Sequence, residues 1–342
     1  MRTSGTARNA SREEVGSDEL DRSLAQLTWA SPSANQSRIA ASFLIMSLGM
    51  LAHSTAIPPL PKCELGHEIP AHVTLCIVCG AHVGFPNVRY AARKEETEAL
   101  DKRLADARIS ATAKGSLDRL EAFGKAVDGS KAVVSRFRAD LDAMLSGGGK
   151  LMQAYYPAVR AGLRVPQNNE FDPARDPNDA RVSPVFYDSL HFAALSLDRL
   201  GVPHYGNFAI TLREEMIAKR TTVFEENPVK FNERFPASRS RPFPYGYRAS
   251  WQDRSTLAMA KLQHKIEAST ADAEFADILL EKQSDPNAFS DFIEVHVYGP
   301  IHPGAFEHVI AEIPDDDLEK LFWDRMKPKL ESFGVSFEEV GA

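Results

Sequence analysis

The sequence predicts an α+β protein of unequal parts. A small metal-bound ribbon occupies residues 59–90, a helical arm 91–150, and a larger mixed α/β domain 151–342; residues 1–58 form a mobile tail. Three observations predict this division. Cysteine and histidine concentrate at 63–79, apolar residues recur at helical spacing from 100 to 145, and the strand-length runs that stand out lie beyond residue 200. At 342 residues there is room for two domains, one with a sizeable core. A hydrophobic content of 43% and a charged content of 25% are those of an ordinary globular chain. The net charge of −7 argues against broad, sequence-independent nucleic-acid affinity for the whole molecule.

The tail is rich in Ser, Ala, Arg, Glu and Asp up to residue 37 and carries no motif. Residues 39–57 then lack charge, between Arg38 and Lys62. The length approaches the roughly twenty residues of a membrane span. Ser42, Ser47, Gly49, His53, Ser54 and Thr55 dilute the run, however, and the apolar part from Phe43 to Ala52 is too short. A tail helix that packs or is dispensable is the expectation, and with it a soluble, cytoplasmic chain. Met46 and Met50 are alternative starts that would shorten or remove the run.

The ribbon is the clearest signal. Cys63 and His67 are separated by three residues that include Gly66, and Cys76 and Cys79 by two, before Gly80. Together they make a closed Cys3His set of the kind structural zinc prefers. All three cysteines of the chain fall here, so none remains for a disulfide, as expected in a reducing compartment. Leu65, Ile69, Val73 and Leu75 are too few to support a core, and ligation supplies most of the folding energy. His72 and His82 are spare histidines, ranked below His67. The pattern C-x-x-G-H, a proline-containing spacer, then C-x-x-C-G resembles small bacterial zinc ribbons, which bind nucleic acid, protein or nothing.

In the arm, Glu98 and Lys102 take the favourable i,i+4 spacing and Leu100 shares a face with Leu104. The pattern resumes at Leu117, Leu120 and Val127, then at Val134, Phe137, Leu141 and Leu145, with breaks at Gly115 and Asp128-Gly129. These stripes predict a helical hairpin, with homodimerisation through the arm as the sharper alternative. Residues 146–150, Ser-Gly-Gly-Gly-Lys, form a flexible joint that lacks the hydroxyl of a P-loop. Residues 166–184, with four prolines, read as loop.

In the second half Leu190, Ala194 and Leu197 predict a short helix ended by Gly201 and Pro203. Phe208, Ile210 and Leu212 alternate as a half-buried strand; 220–224 and 292–298 are further strands. Met259, Leu262 and Ile266 form a helical face, and a second helix covers 275–280. The last helix, capped by Asp315, holds Leu318, Phe322 and Met326 and stops at Gly334. On the 292–298 strand Ile293, Val295 and Val297 face the core. Glu294 then lies between Phe292, His296 and Tyr298 on the opposite face, a group suited to a nicotinamide and a ribose hydroxyl.

The order Tyr205-Gly206, an alternating strand with Leu-Arg-Glu, Arg220-Thr221-Thr222 before a Phe, and a strand-borne Glu294 in E-x-x-x-x-G-P resembles toxin-type ADP-ribosyltransferases and a related uncharacterised bacterial family. The resemblance spans about 184–310 and implies a split sheet with NAD as substrate. It places Glu294 as the catalytic carboxylate and Tyr205, Gly206, Arg220, Thr221, Thr222 and His296 around NAD. Tyr187 and His191 are candidates for the first NAD-binding motif. Where that family continues into a Gly-Asp-Ser turn, this chain has Glu225-Glu226-Asn227-Pro228, expected to be exposed. The functional expectation is a toxin or defence effector that cleaves NAD and transfers ADP-ribose. The alternative is a non-enzymatic zinc-ribbon adaptor that binds protein or nucleic acid. A metal-dependent nuclease lacks its clustered acidic signature.

Overall fold

An eight-stranded sheet organises this computed structural model, which describes residues 60–162, 164–166, 172–236, 243–283 and 290–341. The tail and its apolar run lie outside the described residues. The strands are β1 Lys131–Arg136, β2 Leu190–Ser196, β3 Phe208–Leu212, β4 Thr221–Phe224, β5 Arg248–Ser250, β6 Leu280–Glu281, β7 Asp291–Phe292, β8 Glu294–Tyr298, β9 Phe306–Ile313 and β10 Ser336–Gly341. The large sheet runs β10-β9-β3-β1-β2-β8-β4-β5, and β6 pairs with β7 apart from it. Every neighbour in the large sheet is antiparallel except β9 and β10.

The helices are α1 Pro86–Ala91, α2 Lys94–Lys114, α3 Leu117–Val127, α4 Arg138–Leu145, α5 Tyr155–Arg160, α6 Arg175–Val182, α7 Glu214–Ile217, α8 Pro228–Arg234, α9 Arg254–Leu262, α10 Phe275–Leu279 and α11 Asp317–Ser332. One sheet face, carrying Leu195, Ile210, Val223, Val295 and Val297, packs on Leu100, Phe123, Leu257, Leu262, Trp323 and Met326 from the helices as one continuous core. Leu100, Ala107 and Ala111 of α2 are buried within this chain, so the stripe that the sequence left for a second copy is already covered. The other face carries Phe192, Ala194, Phe224, Glu294 and His296, fixed by the register that sets Ala194 against Glu294, Phe192 against His296 and Phe224 against Glu294. Here α6 and α8 cover part of the sheet through Val182, Phe224 and Phe231.

Several local expectations are corrected. Leu190–Ser196 is a strand and not a helix: paired on both sides and buried on both faces, it shows no period of two, and its i, i+4 repeat is coincidental. Lys131–Arg136 is likewise a strand, inserted between β2 and β3, so the apparent stripe of Val134, Phe137 and Leu141 crosses an element boundary. The proline-rich loop contains α6, which tolerates Pro177 because it falls in the first turn, where an amide hydrogen has no intrahelical partner. The Glu225-Glu226-Asn227-Pro228 turn is largely buried. Asn227 caps α8 by accepting from the Val229 amide at 2.8 Å, and Arg234 reaches Glu225 at 2.8 Å and Glu226 at 2.6 Å. Asp316, not Asp315, caps α11. The 292–298 run is interrupted at Ile293, whose carbonyl accepts from the Leu195 amide at 3.0 Å. Gly149 packs on Phe333 and His302, so the glycine joint is not free. Among the described residues no helix is long and apolar enough to cross a membrane.

Candidate metal centre and sheet pocket

Cys63, His67, Cys76 and Cys79 converge so that their donor atoms lie within 4.8 Å of one another. Two tight turns position them. Gly66 and Gly80 adopt positive φ of 81° and 71°, their amides donating back to Cys63 O and Cys76 O at 2.8 Å. The Cys63 Sγ to His67 Nδ1 distance is 3.4 Å, Cys76 Sγ to His67 Nδ1 3.7 Å and Cys63 Sγ to Cys79 Sγ 3.9 Å. Donors on a tetrahedron around an ion at thiolate and imidazole bond lengths stand about 3.5–3.8 Å apart, so the set fits one metal ion. The backbone amides of Cys79 and Val78 draw the Cys76 thiol down to about 6, favouring the thiolate that a metal needs. His72 and His82 are outside the set. The His82 ring packs on Phe85, 5.2 Å between centroids, and His72 offers its carbonyl to the Tyr298 hydroxyl at 3.4 Å.

Arg89 ties α1 to the ribbon. Its guanidinium donates to the carbonyls of Gly84 at 2.7 Å, Val73 at 2.9 Å, Val83 at 3.0 Å and Ala71 at 3.0 Å. Asn87 of the same helix donates to His296 O at 3.1 Å and the Tyr298 hydroxyl donates to His72 O at 3.4 Å, so the ribbon meets the far end of β8, the strand that starts at Glu294.

A pocket of about 560 Å³, counted out to its mouth, opens on the polar sheet face. Among the described residues Glu294 is the one carboxylate in its lining; Arg136, Arg164 and Arg175 supply three cations, and Tyr155, Phe192 and Tyr205 supply aromatic walls. Glu294 is only 2% exposed and His296 3%, so this face is buried rather than solvated. The carboxylate is held at both oxygens: Oε2 lies 2.8 Å from His296 Nε2, and Oε1 lies 3.5 Å from Arg175 Nη2. Asp179 anchors Arg175 from behind, accepting from Nε at 3.2 Å, and the Tyr156 hydroxyl donates to the same Asp179 oxygen at 2.5 Å.

Electrostatics follow from this crowding. Burial works against the Arg175 charge, but the carboxylates of Asp179 and Glu294 outweigh it and hold the guanidinium protonated. Burial pushes the Asp179 carboxyl up, with Arg175 opposing. Burial, then Arg164, bring Arg136 down to about 10, which marks a positively charged corner. Burial, assisted by Arg136 and Arg220, lowers His191 to about 3, so its imidazole is neutral at any ordinary pH.

The expected residues separate into two groups. Glu294, His191 and Tyr205 line the pocket, and His296 stands directly behind Glu294. Gly206 has φ 139° and its α-carbon rests against the Arg136 backbone, where no side chain fits. Tyr187 lies beyond Phe192 in a smaller void and donates to Asp176 at 2.8 Å. Arg220 caps the carbonyls of Tyr298 at 2.6 Å and Gly299 at 3.1 Å, and Thr221 donates to Ile217 O at 2.8 Å. Thr222 faces Asn87, whose amide reaches its hydroxyl at 3.4 Å. Gly206, Tyr187, Arg220, Thr221 and Thr222 are not in the lining of the pocket. Arg136, Tyr155, Arg164, Arg175 and Asp179 were missed. Their signal was a local excess of arginine, at 136, 138, 160, 164 and 175, in a chain of net charge −7. Comparison of the chain with protein families and with curated proteins returns no match.

Proposed function

We propose that the pocket is the active site of an NAD-cleaving enzyme of the ADP-ribosyltransferase type, with Glu294 as its catalytic carboxylate. The observation that carries the reading is Glu294 itself, a buried carboxylate held at both oxygens in the wall of a pocket whose described lining also holds arginines, aromatic rings and small apolar residues. Departure of nicotinamide breaks the C1′–N bond, the electron pair leaving with the ring, and a positive charge develops on the ribose. A fixed carboxylate in a water-poor site stabilises that charge without reorganising. A nucleophile, water or a group on a target, then forms the new bond to C1′ and loses its proton. Arg175 and His296 position Glu294, and Tyr155, Phe192 and Tyr205 offer faces for the nicotinamide and ribose. The eight strands form one sheet, so the reading rests on the site rather than on the split sheet that the resemblance implies. In this reading the ion at Cys63, His67, Cys76 and Cys79 is zinc in a structural role, since four protein ligands close its coordination, and the enzyme works in the cytoplasm. Incubating the purified full chain with NAD and measuring nicotinamide by chromatography tests the proposal; no release above a protein-free control would remove it.

One observation favours the adaptor reading. Leu65, Ile77 and Val78 at the tips of the ribbon turns are 70%, 72% and 65% exposed, apolar surface suited to a protein partner. In that case the ribbon binds a partner and NAD is left intact, so the same assay separates the two.

A further inference from the structure

Arg175 lies between two carboxylates and engages them unequally. Its Nε donates to Asp179 Oδ2 at 3.2 Å, whereas Nη2 stops 3.5 Å from Glu294 Oε1 and makes no hydrogen bond among the described residues. A guanidinium free to reach a carboxylate closes to about 2.7–2.9 Å, often through two parallel hydrogen bonds. Asp179 and two aromatic rings keep Arg175 from doing so. Asp179 takes the Nε–H edge, and the ring centroids of Phe192 and Tyr155 lie 4.5 and 5.2 Å from the guanidinium carbon. Asp179 is fixed in turn by the Tyr156 hydroxyl at 2.5 Å, and the Tyr156 ring packs edge-on against Tyr155 and Tyr187, 5.1 and 4.8 Å between centroids. Helix stability does not account for the Arg175–Asp179 pair. An arginine four residues before an aspartate is the weaker orientation of an i,i+4 pair, and the two side chains are 6% and 2% exposed, so the desolvation of both charges offsets their attraction.

We infer that Asp179, backed by Tyr156, is a positioning residue that restrains Arg175 from closing on Glu294. Arg175 then holds Oε1 by charge across 3.5 Å without a hydrogen bond, while His296 takes Oε2 at 2.8 Å. That leaves Oε1 able to accept from a substrate hydroxyl or to face a developing cation. With Asp179 neutralised, the same guanidinium would close on Glu294 as a fork and cancel the charge that the chemistry needs. The effect on turnover rests on the reading of Glu294 as the catalytic carboxylate; the restraint itself rests on the geometry alone.

Side-chain nitrogen magnetic-resonance spectra of the full chain labelled in arginine, together with nicotinamide release from NAD, test the inference. The Arg175 Nε–H signal, identified by its absence from R175K, should keep its position in E294Q and move in D179N. Turnover of D179N should fall by about tenfold or more, and adding R175Q to D179N should raise it again by about threefold or more, since no guanidinium is then left to close on Glu294. An Asp179 that served the fold alone would give no such recovery. Y156F removes one hydroxyl and should move the Arg175 signal and slow turnover in the same direction, by about threefold; it decides the matter should D179N fail to fold. An Arg175 signal unmoved in D179N and Y156F, or lost in E294Q, would overturn the restraint, and so would turnover of the double variant no better than that of D179N. If the parent releases no nicotinamide, the reading of the pocket falls and the spectra alone decide the restraint.

Discussion

His191 shows how a single residue reports on this pocket. It is neutral when folded, its pKa lowered to about 3, and takes its ordinary value of 6.5 once unfolded. Between those values the unfolded state binds the additional proton, so stability falls as pH drops from 6.5 towards 3, by up to about 1.4 kcal/mol per pH unit from this group. Denaturant melts of the parent and of His191→Gln over pH 4–7 should show a shallower slope for the variant; parallel slopes would place the imidazole in water. Glu294 was legible because its strand neighbours Ile293 and Val295 fix its facing, and the same alternation brought out His296. Arg175 was not legible, because it acts from a proline-containing helix in a segment whose composition spells loop, and no local pattern says that it reaches across to Glu294.

At the scale of elements, the turn that carries Tyr205 is locked to β1. A Cβ on Gly206 would strike the Arg136 carbonyl carbon and oxygen, both backbone atoms that cannot swing aside. Gly206→Ala should therefore destabilise the fold by about 2 kcal/mol or more, from overpacking and from strain at its positive φ, while also displacing Arg136. A thermal melt unchanged within error would contradict that close approach. The ribbon makes the opposite prediction. All four ligands lie within 63–79, so Cys76→Ser should abolish metal binding and unfold the ribbon while the sheet and its helices stay folded. Elemental analysis should fall from one zinc per chain to none, with the main melting transition retained. Elements bounded by sharp chemistry, such as the ribbon turns, α9 and β3, could be read from the sequence; β1 and β2 could not, because strands buried on both faces lose the period of two that identifies them.

Across the described residues, an acidic chain gathers three arginines in one pocket and sets its Cys3His cluster near the other end of the strand that carries Glu294. Tyr298 closes β8 against the ribbon, its ring 5.9 Å from Phe85, while Glu294 opens β8 inside the pocket. A target held by the ribbon would thus stand near the strand that carries the proposed chemistry. The central claim is that the Glu294 charge does that chemistry. Turnover of NAD by the parent, Glu294→Gln and Glu226→Gln, measured as nicotinamide released and paired with a thermal melt of each, tests it most directly. Glutamine keeps the shape of Glu294 and removes only the charge opposing the developing cation, so the account predicts a fall of about a hundredfold or more with the fold intact, and a lesser effect at Glu226, which pairs with Arg234. Turnover of Glu294→Gln equal to that of the parent would contradict it.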